Sequence, residues 1–435
     1  MFYGGLNLKR NKMITLDLAS FPVRRARFGT DTRYQNGELI VGHDAVRALI
    51  LQDARIKDVR LELVHPGDSA RVIRVLDAIE PLTKVQGPSC TFPGFNGPPR
   101  TCGSGRTHRL EGLTVMQVTD FPYPASGVQA FEEGIVEMSG PGAEYSSASD
   151  RVNLLLVFTP GMVSNNVEYD DAVRRASLRV ADLLAQATRE MTPPRLETFN
   201  LNQETPGLPR IVWIHQVRSQ GPMIQTFLYG HEMTGCVPTV LHPNEMLDGA
   251  LVGGNYKIGT RTPTFRHTWH PSLAALYQRH GKDINFAGVI IARGHHENEF
   301  LKERSAQIAA KLAVMLRADG ALCTYEATGN THIDFMLIVQ ALEQARIPTG
   351  AVVHEYGGPE GKDISLVDFV PEAVALTSSG GIDRRVTLPA VEKLIGGTNL
   401  AHRGEEAQGE LNLPLQELYA VTVEMNMRGY RAQEY

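Results

Sequence analysis

The sequence predicts an α/β protein: a doubly wound, mostly parallel sheet in the C-terminal part, preceded by an N-terminal β-rich module. Three observations carry this. From residue 286 onward, short apolar runs alternate with helical segments, the rhythm of βαβ units. The runs "VNLLLVFTP" (152–160) and "FAGVIIA" (286–292) are continuously apolar, as in strands buried on both faces. The first 150 residues instead hold short branched runs separated by stretches rich in Gly and Pro.

Taken in order, "DVRLELV" (58–64) and "LTVMQV" (113–118) are the strands of the first module. The segment between them, 87–108, is dense in Gly and Pro and reads as a functional or contact loop. After the 152–160 strand, Val173, Ala176, Val180, Leu183, Leu184 and Ala187 share one face, which predicts a helix over 168–191. "RIVWIHQV" (210–217) and "CVPTVLH" (236–242) follow as strands. The last third reads strand 286–292, helix 301–317, strand 321–326, helix 332–345, strand 349–355 and strand 373–379. A chain of 435 residues exceeds one ordinary core. The pattern divides it into a β-rich module (1–150), an α/β middle domain (151–280), a Rossmann-like domain (281–400) and a charged tail suited to partner contact (401–435).

Composition narrows the function. A net charge of −5 leaves no basic footprint for nucleic acid. No stretch reaches the roughly 18 apolar residues of a membrane span, and the N-terminus is broken by Gly, Lys and Asn before a signal-like run forms. The cysteines, Cys90, Cys102, Cys236 and Cys323, show no CxxC spacing, so a cytoplasmic protein with reduced thiols is expected.

In open α/β sheets, ligands sit at the carboxyl ends of the strands. Here those ends carry Arg293, Gly294, His295, His296 and Glu297; then Glu326; then His354, Glu355 and Tyr356; then Ser378, Ser379 and two glycines. Imidazole and carboxylate suit a divalent metal such as zinc, with His296, His332, His354 and Glu355 as ligands. The same side chains, with His295 and Glu297, suit acid–base or anion-binding roles. A solvated strand end is the third reading. Thr331 and Asp334 also fit a Thr-x-x-Asp capping box, which would make "GNTHID" a simple helix start. "GGPEGK" (357–362) lacks the full phosphate-loop spacing and reads as a turn.

Several longer stretches resemble component B of the glycine, sarcosine and betaine reductases, and more distantly D-proline reductase. They are "GSGRTH" (103–108), "MSGPGAEY" (138–145), "VPTVLHPNEMLDGALVGGNY" (237–256), "RHGKDINFAGVII" (279–291), "KERS" (302–305), "GNTHIDFM" (329–336) and "TSSGGIDRRVTLP" (377–389). The resemblance implies a subunit of an enzyme complex acting on a small amino-acid or amine derivative. It also implies self-cleavage at an internal cysteine that leaves a pyruvoyl group, whose carbonyl forms a Schiff base with the substrate amine. A homologous partner with a reactive Cys or selenocysteine supplies the nucleophile.

The sequence departs from that pattern where the chemistry should start. "GGNYKIGTRTPTF" (253–265) has no cysteine, and Gly259 or Thr260 stands near its place. Glycine cannot begin an acyl shift, and threonine would leave ketobutyryl, so a pyruvoyl cofactor is not expected. A divalent metal as replacement electron sink is one expectation, with His215, His231, His242, His267 and His270 as further imidazoles. A metal-dependent lyase or hydrolase, or a non-catalytic partner subunit, are the alternatives. Asn255, Thr260 and Arg261 lie in the segment matching the processed loop, Asn330 beside the strand ends, and Arg106 with His108 can hold a substrate carboxylate.

Overall fold

The computed structural model describes residues 14–124, 132–358, 360 and 366–427. The chain is mixed α/β, with several small sheets and one six-stranded, mostly parallel sheet.

The first part is built on two four-stranded sheets. One runs Arg195–Phe199, Leu16–Pro22, Gly105–Glu111, Leu82–Gln86; the other runs Ile56–Val64, Val152–Pro160, Leu113–Val118, Val75–Ile79. The helix Asn166–Ala185, capped by the Asn165 side chain, buries Tyr169, Val173, Ala176, Val180 and Leu184 in the same core. The apolar 152–160 strand therefore belongs to the first part. It pairs in parallel with 113–118 and antiparallel with 56–64, so a division at 150/151 would cut through a hydrogen-bonded sheet.

The large sheet has the order Thr239–Leu241, Asn285–Gly294, Arg210–Arg218, Gly320–Tyr325, Thr349–Glu355, Leu376–Gly381. Only 239–241 runs antiparallel. Counted along the chain, the five parallel strands stand 2-1-3-4-5. The direction of winding reverses between the strand of His215 and that of Glu326, and in this strand order such a reversal leaves a crevice at the carboxyl ends.

Strand alternation sets the two faces. Val212, Ile214, Ile290 and Ala292 pack with the helices Glu299–Met315 and Asn330–Gln344, whereas Trp213, Val289 and Ile291 pack with Leu273 and Leu276 of the helix Pro271–Arg279. The sheet draws strand 210–218 from outside the expected 281–400 segment. Within that segment, Lys393–Ile395 leaves the sheet to pair with Ala70–Val72.

The 401–435 segment is not a free tail in its described part. Leu411–Pro414 pairs with Arg385–Leu388, and Leu413, Leu415, Leu418 and Val421 are buried in a core shared with Ile73 and Ile135. Its apolar residues bury against the first part of its own chain. The 87–104 loop is also tied down: Asp248 accepts the Gly103 amide at 2.6 Å and binds Thr107 and Lys84, while its carbonyl takes the Phe92 amide at 2.9 Å. Half of "GGPEGK", residues 359, 361 and 362, lies outside the described residues.

Candidate functional site

Because successive side chains of a strand point to opposite faces, the strand ends do not form one cluster. Trp213 and His215 share a face with Thr324 and Glu326. Tyr325 points to the other face, with His332 and Phe335 of the following helix.

On the first face lies a buried polar cluster. Thr324 Oγ1 accepts Trp213 Nε1 at 2.9 Å and stands 2.9 Å from His215 Nδ1. His267, from the helix Thr264–Thr268, and His270, which caps the helix Pro271–Arg279, bring their rings 5.6 and 5.0 Å from that of His215. Glu326 Oε2 accepts the Arg218 amide at 2.8 Å and the Thr226 hydroxyl at 3.2 Å; Oε1 accepts the Thr262 amide at 3.1 Å. His267 Nε2 approaches the same Oε1 at 3.1 Å. Burial works to raise the Glu326 carboxyl, but His267, His215 and the Arg218 amide hold it down at about 2. Burial pushes His215 down to about 3. His215, His267 and Glu326 are the one group of three among the described residues whose ligand atoms gather within 4.8 Å, and they can hold a cation.

Residues 255–262 pack around this cluster. The Thr260 carbonyl accepts the Ala327 amide at 2.6 Å, and Thr262 binds Glu326. Arg261 is fully buried, bound to the carbonyls of Leu76 and Tyr256 and, at 3.2 Å, to Asp77. Asn255 donates to the Asp170 carbonyl at 3.1 Å.

The second face carries the expected crevice residues, divided into two groups. Asp334 Oδ2 accepts the His295 and His296 amides at 2.8 and 3.2 Å and Lys302 Nζ at 2.9 Å; Oδ1 is 2.8 Å from His296 Nδ1. Asn330 donates to the His296 carbonyl at 2.9 Å. Glu297 is exposed and paired with Arg293 at 2.6 Å. Next to this group, His296, Glu297, Arg293, Arg304 and Cys236 line a cavity of about 220 Å³. In the other group, the Tyr325 hydroxyl lies 3.5 Å from His332 Nδ1 and 3.4 Å from His354 Nε2. The Tyr325 and His354 rings stack at 4.9 Å.

The expected metal set therefore separates. His296 is committed to Asp334, His332 and His354 flank Tyr325, and half-buried Glu355 ends the neighbouring strand without joining a group of three. The capping box does not form either. The helix Asn330–Gln344 is preceded by Gly329, with no side-chain cap, and Asp334 reaches across to the adjoining strand end. Arg106 and His108 lie on the first sheet, away from both groups. Arg106 faces Asp17 at 3.5 Å, and His108 Nδ1 contacts the Thr188 carbonyl at 3.1 Å. The residues missed at first are Glu326, His215 and His267 as one set, and Asp334 as an anchor. The available signal was parity: a histidine inside the apolar run "RIVWIHQV" has to face something polar.

A family model for glycine/sarcosine/betaine reductase component B subunits matches residues 14–431. The sarcosine reductase complex component B subunit alpha of Peptoclostridium acidaminophilum is 35% identical, covering 88% of this chain and 89% of that protein. The glycine reductase complex component B subunits alpha and beta of the same organism are 34% identical with the same coverage. The D-proline reductase proprotein PrdA of Acetoanaerobium sticklandii is 23% identical, over 74% of this chain and 52% of its own length. No solved structure matches the chain. Sequence likeness along nearly the whole chain makes this protein a member of the glycine/sarcosine/betaine reductase component B family.

Proposed function

We propose that this chain is the substrate-handling subunit of a cytoplasmic glycine/sarcosine/betaine-reductase-like complex. It acts on a small amino-acid or amine derivative at a C–N bond, from a doubly wound sheet and without a self-generated pyruvoyl group. A homologous component-B-type partner with a reactive Cys or selenocysteine supplies the nucleophile. The family likeness supports the complex.

One observation carries the departure from it: Gly259 is packed against the chain. A Cβ at that position would fall 2.5 Å from the Gln416 carbonyl oxygen, so no cysteine side chain fits there as the backbone stands. The adjacent Thr260 hydroxyl is buried with no hydrogen-bond partner, hence no base to activate it.

A second reading, a metal-dependent lyase or hydrolase, is favoured by the gathering of His215, His267 and Glu326. The test for the first is reconstitution. The full chain, co-expressed with its component-B-type partner and given a dithiol, is offered glycine, sarcosine, betaine and D-proline in turn. C–N cleavage of at least one is expected, with the chain still a single polypeptide by intact mass. Cleavage of none, with partner and dithiol present, overturns the reductase reading. A chain split near residue 259 overturns the absence of processing.

A further inference from the structure

We propose that His215, His267 and Glu326 bind one divalent transition-metal ion of the zinc class, at the point where the parallel sheet reverses its winding. Two imidazoles and one carboxylate are a common ligand set for such ions, and three protein ligands leave a fourth position for water or substrate.

Burial and hydrogen bonding together point to a ligand. The three residues are 1%, 0% and 1% exposed. Nevertheless His215 Nε2 and both ring nitrogens of His267 have no hydrogen-bond partner. The 3.1 Å approach of His267 Nε2 to Glu326 lacks the alignment of a hydrogen bond. Buried polar atoms of this kind are costly to leave unmet, and here three of them lie on two adjacent rings packed near a carboxylate.

Two of the three ligands, His215 and Glu326, have the supporting bonds that a metal site needs. Metal-binding imidazoles are oriented by a bond from the other ring nitrogen, and His215 Nδ1 is 2.9 Å from Thr324 Oγ1. The tautomer that donates this bond leaves the unpartnered Nε2 as the nitrogen with a free lone pair. Glu326 is fixed by the Arg218 and Thr262 amides. The short helix that carries His267 is pinned at its start by Asp77, which accepts the Thr264 amide at 3.0 Å. The ligand atoms gather within 4.8 Å; bonds of about 2.1 Å to a tetrahedral ion place ligands about 3.4 Å apart. A modest ring rotation closes the difference. The set does not depend on reductase activity, so it stands or falls separately from the function proposed above.

The test uses the full chain, stripped with a chelator and titrated with Co²⁺, then Zn²⁺. About one equivalent of Co²⁺ is expected to bind with the visible absorption of a low-coordinate site, displaced by Zn²⁺. Zn²⁺ is expected to raise the melting temperature by a few degrees. Glu326→Gln and His267→Gln are expected to lose the absorption, while His296→Gln and His354→Gln keep it. A wild-type chain that shows no Co²⁺ absorption and no Zn²⁺-dependent melting shift overturns the proposal and leaves a buried His267–Glu326 contact only. Full absorption in both the Glu326 and His267 variants overturns it too, by placing the metal elsewhere.

Discussion

Asp334 grips the strand end at His296. One carboxylate oxygen accepts the amides of His295 and His296, and the other meets His296 Nδ1 at 2.8 Å. His295 is held at φ +70°, a conformation that costs a non-glycine residue energy and needs support. Lys302 adds its ammonium at 2.9 Å. Asp334→Ala leaves Lys302 buried without its carboxylate and should cost about 3–5 kcal/mol in urea unfolding. Asp334→Asn keeps an acceptor and should cost less, on the order of 1–3 kcal/mol. Equal losses for the two would show that the charge contributes nothing.

Gly259 provides a test of the proposed lack of self-processing. Gly259→Cys puts a cysteine at one of the two positions, Gly259 or Thr260, near which the family resemblance expects one, but its Cβ meets the Gln416 backbone at 2.5 Å. The variant should lose about 1–3 kcal/mol through overpacking. It should also remain one polypeptide by intact mass. A cleaved product carrying a carbonyl that reacts with hydrazine would show that the segment can still process once a thiol is present.

The pair His332 and His354 should make the protein acid-labile. Burial holds His332 down to about 4; burial and then the neighbouring His332 hold His354 down to about 3. An unfolded histidine titrates near 6.5. The unfolded chain therefore binds more protons between these values, and stability falls as pH drops from about 6.5 toward 4 and then 3. The slope is up to about 1.4 kcal/mol per pH unit for each histidine. Urea midpoints followed downward from neutral pH should show this fall, and His354→Gln should flatten it. An unchanged slope in the variant would show that His354 does not stay neutral.

Arg261 and Arg106 should behave oppositely. Arg261 is fully enclosed and committed to Asp77 and two carbonyls. Arg261→Met leaves a buried carboxylate short of its partner and should cost about 3–5 kcal/mol. Arg106 is part-exposed, with a single 3.5 Å contact to Asp17. Arg106→Ala should change stability by less than about 1 kcal/mol, measured in the same denaturant series. A large loss at Arg106 would mean that its contact is stronger than the geometry shows.

Much of the fold was legible locally. The apolar runs at 58–64, 113–118, 152–160, 210–217 and 286–292 all fall in strands, and the helices expected over 301–317 and 332–345 appear as Glu299–Met315 and Asn330–Gln344. These patterns have periods of two and 3.6 residues, so a short window contains them. The lack of a cysteine in 253–265 and the family likeness were likewise fixed by residue order alone. Strand order was decided only in three dimensions, because hydrogen bonding between segments far apart in sequence inserts 210–218 between 285–294 and 320–325. That insertion brings His215 beside Glu326. Side-chain parity then sends Tyr325 to the other face, where His332 of the following helix and His354, beside a register shift in its strand, pack against it. The sequence supplied histidines and carboxylates at the strand ends; which of them meet depended on the pairing of distant strands and the side of the sheet each residue faces.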